Sequence, residues 1–152
     1  MNDSSDLVKL YSQRILALAA DIPLTTPIET PQAAAKVRSP LCGSTVTVEI
    51  KVHQGTVTAF GQNVKACALG QASASVLGRN IVGRNRKEIA LAHHELKEML
   101  TNHGPPPTVP FDELCVLQPA RDYKNRHASI MLVFDATLEA FDQAELAGAM
   151  GR

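Results

Sequence analysis

Between residues 45 and 64, apolar and polar side chains take turns. Val46, Val48, Ile50 and Val52 fall between Thr47, Glu49, Lys51 and His53, and Val57 and Ala59 continue the pattern past Gln54-Gly55. A period of two is that of a half-buried strand, and a glycine-containing pair between two such runs predicts a β-hairpin turning at Gln54-Gly55. Elsewhere the apolar positions recur at helical spacing. Leu7, Leu10, Tyr11, Leu18 and neighbouring Ile15 predict a helix over residues 7–20, capped by Ser5 or Asp6 and stopped by Asp21-Ile22-Pro23. Pro23, Pro27 and Pro31 mark an extended connector that leads into a short edge strand near residues 34–38.

Downstream of the hairpin, the small residues of 68–77 predict a short helix packed closely on the sheet and ended by Gly78. Asn85 caps a longer helix through Leu100, with Ile89, Ala92, Leu96 and Leu100 on its buried face. Gly104-Pro105-Pro106-Pro107 is a stiff spacer, residues 111–117 a short helix, and the last helix runs over about 128–146 with Ile130, Phe134, Leu138 and Phe141 on one side. The fold expected is α+β, a three-stranded antiparallel sheet with helices packed on one face, as one domain over residues 1–152.

Composition narrows the function. The chain has 152 residues, of which 45% are apolar, enough for one core. Fifteen basic residues balance fifteen acidic ones and there is no tryptophan, so neither an electrostatic footprint nor a stacking platform for nucleic acid is expected. The acidic start and the lack of an apolar run of about 20 residues predict a cytoplasmic protein with no membrane span. In a reducing compartment three cysteines serve metal or thiol chemistry more readily than a structural disulfide.

Two of the cysteines are related by the hairpin. Cys42 lies 12 positions before its centre (54 − 42) and Cys67 lies 12 after it (67 − 55), so an in-register hairpin returns both to one end of the sheet. Such a pair is a disulfide, a redox pair or half of a metal site. Cys67 also opens the small-residue helix, where free N–H groups and the macrodipole favour an anionic sulfur. Cys115, in the apolar run Glu113-Leu114-Cys115-Val116-Leu117, is expected to be a buried structural residue. His93-His94-Glu95 lacks the second histidine that a zinc-protease helix needs, and reads as surface.

Three phrases, in this order, resemble the IscU/NifU-type iron–sulfur cluster scaffold proteins over roughly residues 5–145. They are Pro40-Leu41-Cys42-Gly43, the run Ala66-Cys67-Ala68-Leu69-Gly70-Gln71-Ala72-Ser73-Ala74-Ser75, and Arg126-His127-Ala128-Ser129 before a final helix. The resemblance implies a small antiparallel sheet with helices on one face and a cluster, or a zinc ion, at one exposed tip. Its ligands in the family are a Cys-Gly-Asp cysteine, a cysteine opening the small-residue helix and a third cysteine before the last helix, with an aspartate and sometimes a histidine assisting.

Cys42 and Cys67 match two of those ligands. Ser44 stands where the family has aspartate and Ser129 where it has the third cysteine, and a neutral hydroxyl is a poor ligand for iron or zinc. His127 is the expected replacement, giving the ligand set Cys42, Cys67 and His127 for cluster or zinc. The family's chaperone phrase Leu-Pro-Pro-Val-Lys is absent, and Gln118-Pro119-Ala120-Arg121-Asp122 stands nearby instead.

The function implied is that of a scaffold rather than an enzyme. It would take sulfide from a cysteine desulfurase, bind iron, and pass the cluster to acceptor proteins. Two further readings stand beside it: a sulfur-accepting or thiol-redox protein in which Cys67 reacts and Cys42 resolves, and a degenerate scaffold that only binds the assembly machinery.

Overall fold

The computed structural model describes residues 10–40 and 43–150, with side chains through Gly148. Three strands, β1 (Ala33–Arg38), β2 (Thr45–His53) and β3 (Thr56–Lys65), form one antiparallel sheet in the order β1-β2-β3. The helices lying wholly within the described residues are α1 (Gln13–Ala20), α2 (Ala68–Asn80), α3 (Arg86–Thr101) and α4 (Lys124–Met150), with a 3₁₀ segment, Asp112–Asp122, between the last two. This is the α+β architecture that the hydrophobic pattern predicts.

The β2–β3 turn falls at the expected residues. Gln54 and Gly55 both have positive φ, 51° and 75°, as a two-residue hairpin loop of the type I′ family requires. The strand beyond it departs from strict alternation. Val52 pairs with Val57 but Lys51 pairs with Ala59, so Thr58 is an extra residue on β3 and the register shifts by one. Side chains after the bulge change face: Phe60 and Gln62 are buried with Val57, whereas Ala59 is only half-buried.

On the core face of the sheet Ala35, Val46, Val48, Ile50, Val57 and Phe60 are buried beneath the helices. α4 packs on β1 and β2, α2 on α4, α1 on α2, and α3 on the other side of α4. Sandwiched in this way, α4 is buried at almost every position from Ser129 to Thr137, the pattern of a central helix rather than an amphipathic surface one.

Element ends differ from expectation for identifiable reasons. The helix expected over 7–20 with a cap at Ser5 or Asp6 is interrupted: Leu10 is helical, the chain turns at Tyr11-Ser12, and α1 runs from Gln13, capped by Ser12 Oγ accepting from Ile15 N at 3.3 Å; residues 7–9 and both expected caps lie outside the described residues. Gly78 does not end α2, which continues to Asn80. A Cβ at Gly78 would lie 2.7 Å from Gln62 Nε2 and 2.8 Å from Pro23 Cγ, so this glycine admits the connector between α1 and β1 against the helix.

Asn85 caps α3 as expected, in a complete capping box with Glu88. The short helix of residues 111–117 is instead an 11-residue 3₁₀ stretch whose Leu114, Leu117 and Ala120 stack at spacing three on its buried side. At the first residue of α3, Arg86 makes a bidentate pair with Asp142 of α4, and hydrogen bonding to that carboxylate raises the Arg86 pKa. Among the described residues no helix is long and apolar enough to cross a membrane.

Candidate functional site

Pairing of Thr45 with Lys65 brings the β1–β2 loop and the Ala66-Cys67 segment to the same end of the sheet. The loop is tight. Ser39 N donates to Ser44 O at 2.8 Å and Gly43 N to Ser39 O at 2.9 Å, with Gly43 at φ 73°, a conformation that glycine adopts without a Cβ penalty. Cys42 belongs to this loop but lies outside the described residues, so the expected approach of its sulfur to Cys67 has no measured distance here. The β3 bulge does change the arithmetic behind that expectation: extended beyond Thr45, the register sets residue 43, not 42, opposite 67.

Cys67 is a half-buried free thiol and forms the N-cap of α2, with extended backbone (φ −67°, ψ 170°) and no capping bond from its side chain. Its neighbours hold the first turn: Gln71 N donates to Cys67 O at 2.9 Å, and Gln71 Nε2 to Ala66 O at 3.0 Å. No acidic side chain occupies this turn, so nothing on α2 itself offsets the positive end of its macrodipole at Cys67.

Two serines complete the contact. Ser129 Oγ lies 3.5 Å from Cys67 Sγ and 3.3 Å from Ser44 Oγ, and both serines are buried, with relative exposures of 1% and 6%. The approach of α4 to α2 that produces this contact depends on small residues. A Cβ at Gly70 would meet Ser129 Oγ at 2.6 Å and Ser129 O at 3.0 Å, and one turn on, Ser73 Oγ donates to Ile130 O at 2.8 Å. The compositional signal of residues 68–77 is therefore the interface with α4 as much as with the sheet.

His127 is placed differently. Residues two apart on an α-helix project about 200° from each other. With Ser129 facing Cys67, His127 turns its Nε2 to the carbonyls of Ala120 and Arg121, at 2.9 and 3.1 Å, and so donates to the end of the 3₁₀ segment. The structure brings Ser44, Cys67 and Ser129 together and leaves His127 out of that contact. Among the described residues no group of three His, Cys, Asp or Glu side chains is placed to hold a metal ion.

Other sequence expectations are also adjusted. Cys115 is half-buried rather than enclosed. His93 is not simply a surface residue, since its Nε2 lies 2.7 Å from Asp135 Oδ1 and joins α3 to α4. What residue-by-residue reading missed was the role of the two serines, which it treated as lost ligands. The available signal was the coincidence of two hydroxyl residues at two ligand positions, Ser44 and Ser129, in one chain.

The sequence profile described as "NifU-like N terminal domain" matches residues 10–128. Among solved structures, the chain is similar to a nitrogen-fixing NifU-like protein (N-terminal) from Brucella abortus, at 43% identity over 93% of this chain and 98% of that one, with a TM-score of 0.90. It also shares its fold with a protein proposed as the iron–sulfur cluster assembly scaffold of the SUF system in Fervidobacterium islandicum, at 17% identity over 88% of this chain and 98% of that one, with a TM-score of 0.78. No curated protein gives a significant match.

Proposed function

Since the chain belongs to the NifU-like N-terminal domain family, we propose that it is an iron–sulfur cluster assembly scaffold in which Cys42 and Cys67 hold the cargo. The cluster is substrate here, assembled from iron and from persulfide sulfur that a thiol reductant brings to sulfide with two electrons, and then passed on. The observation that carries the reading is the convergence at one end of the sheet. Ser44 at the start of β2, the sulfur at the mouth of α2 and Ser129 in the first turns of α4 meet there.

A scaffold must hold its cargo and also lose it. Cys67 suits both demands: the residue is half-buried rather than enclosed, and its sulfur rests against Ser129 Oγ at 3.5 Å. With hydroxyls at 44 and 129, a single chain supplies two cysteines to the site, and a cluster bound by four thiolates draws on a second chain or on other donors. His127 Nε2 is engaged with the carbonyls of Ala120 and Arg121, which leaves Nδ1 as the nitrogen able to ligate, on a ring that stands outside the Ser44, Cys67 and Ser129 contact. Its contribution to retention is accordingly smaller than that of either cysteine. The partners that fit this role are a cysteine desulfurase as sulfur donor and apo iron–sulfur proteins as acceptors.

The test is anaerobic incubation of the full chain with a cysteine desulfurase, cysteine, ferrous iron and dithiothreitol as the reductant that brings persulfide sulfur to sulfide, followed by iron and acid-labile sulfide analysis and visible absorption. Iron and sulfide bound in the wild type and lost in Cys67→Ala support the scaffold. Protein-bound persulfide without iron, on Cys67, would assign the chain to sulfur acceptance instead.

A further inference from the structure

Ser44, Ser129 and Cys67 form a continuous contact: hydroxyl to hydroxyl at 3.3 Å, hydroxyl to sulfur at 3.5 Å. Both hydroxyls are shielded from solvent by the packing of α4 against α2 and the sheet, and Gly70 leaves the gap that Ser129 Oγ occupies. The direction of the bonds is open while Cys67 carries its own proton. It closes when the sulfur is a ligand, because an iron-bound thiolate has no proton and can only accept. A hydrogen bond between the two then has Ser129 as donor and sulfur as acceptor, and with its hydrogen so directed the Ser129 oxygen can accept from Ser44.

We propose that Ser129, supported by Ser44, is a positioning residue for the cargo: it fixes the direction of the Cys67 sulfur and donates a hydrogen bond to that sulfur in the cluster-bound state. The donation step rests on the scaffold reading above; the fixing of the side chain does not. A hydrogen bond to a cluster-ligating sulfur withdraws electron density from it and favours the reduced, more negative cluster, so the reduction potential rises. In this site a serine at position 129 thus tunes the cargo through Cys67 without binding iron.

The experiment uses the full chain as wild type, Ser129→Ala and Ser44→Ala. Two quantities are read: the Hα–Hβ couplings of Cys67 by NMR without metal, and the midpoint potential of the cluster after anaerobic reconstitution with ferrous iron and sulfide. In the wild type the couplings should report one side-chain rotamer. In Ser129→Ala they should move toward the averaged value and the midpoint potential should fall, with Ser44→Ala lying between the two. Couplings unchanged in Ser129→Ala overturn the positioning role, and a potential unchanged in that variant overturns the donation to the loaded sulfur. A wild type that takes up no cluster overturns both the scaffold reading and the donation, while the couplings still decide the positioning.

Discussion

Replacing Ser129 by cysteine restores a thiol where the chain has a hydroxyl, and the structure allows its effect to be worked out. Two sulfurs bound at about 2.3 Å to one tetrahedral ion are about 3.8 Å apart. Ser129 Oγ already stands 3.5 Å from Cys67 Sγ, so a sulfur placed there is at nearly the separation a shared ion demands, without a change of backbone. Against this, the variant loses the bond to Ser44, worth about 1 kcal/mol, and crowds the approach to Gly70. We predict that Ser129→Cys lowers the stability of the metal-free protein by about 1–2 kcal/mol while tightening zinc binding at least about tenfold, or ~1.4 kcal/mol. Competition against a chromophoric zinc chelator measures the affinity, and thermal unfolding of the metal-free variants measures the stability. A variant that folds normally but binds zinc no more tightly than the wild type would refute the claim that position 129 faces the cargo.

Cys42→Ala and Cys67→Ala should each abolish retention of iron and sulfide, whereas His127→Ala should leave most of it in place and lower thermal stability; iron analysis after gel filtration separates the three. Gly78→Ala puts a Cβ against Gln62 Nε2 and Pro23 Cγ and should destabilise the fold by about 1–3 kcal/mol in denaturant titrations. Asn85→Ala removes one half of the α3 capping box and should lower stability by about 1 kcal/mol without altering cargo binding, which serves as a control.

The sheet was legible because its signal is local. Alternation across Val46 to Val52 and a Gln-Gly turn determine β2, the hairpin and its face, and Asn85 as a cap marks the start of α3. The β3 bulge was not legible, since an inserted Thr58 between Val57 and Ala59 leaves the apparent pattern intact while the pairing shifts. Gly78 misled for a related reason: a glycine ending a helix and a glycine admitting another chain segment look alike until the segment containing Pro23 is in place.

At the site, the sequence indicated Cys67 at a helix start, and the structure adds what touches it. Helix phase explains why His127 was expected there and Ser129 is found. The start of α4 was read near residue 127 or 128, too late to reveal that positions 127 and 129 lie on different sides of a helix beginning at Lys124. The contact itself depends on Gly70 and on the α2–α4 approach, which no local pattern encodes.

The central claim is that this chain assembles a cluster and gives it up, and cluster transfer tests it most directly. Cluster is built on the full-length chain under anaerobic conditions, excess iron and sulfide are removed, and an apo acceptor is added with a chelator that traps any iron released to solution. The acceptor should gain its cluster spectrum at a rate and yield insensitive to the chelator, and protein carrying Cys67→Ala should transfer nothing. An acceptor that stays empty in the presence of chelator while the chain retains or sheds its iron would contradict it.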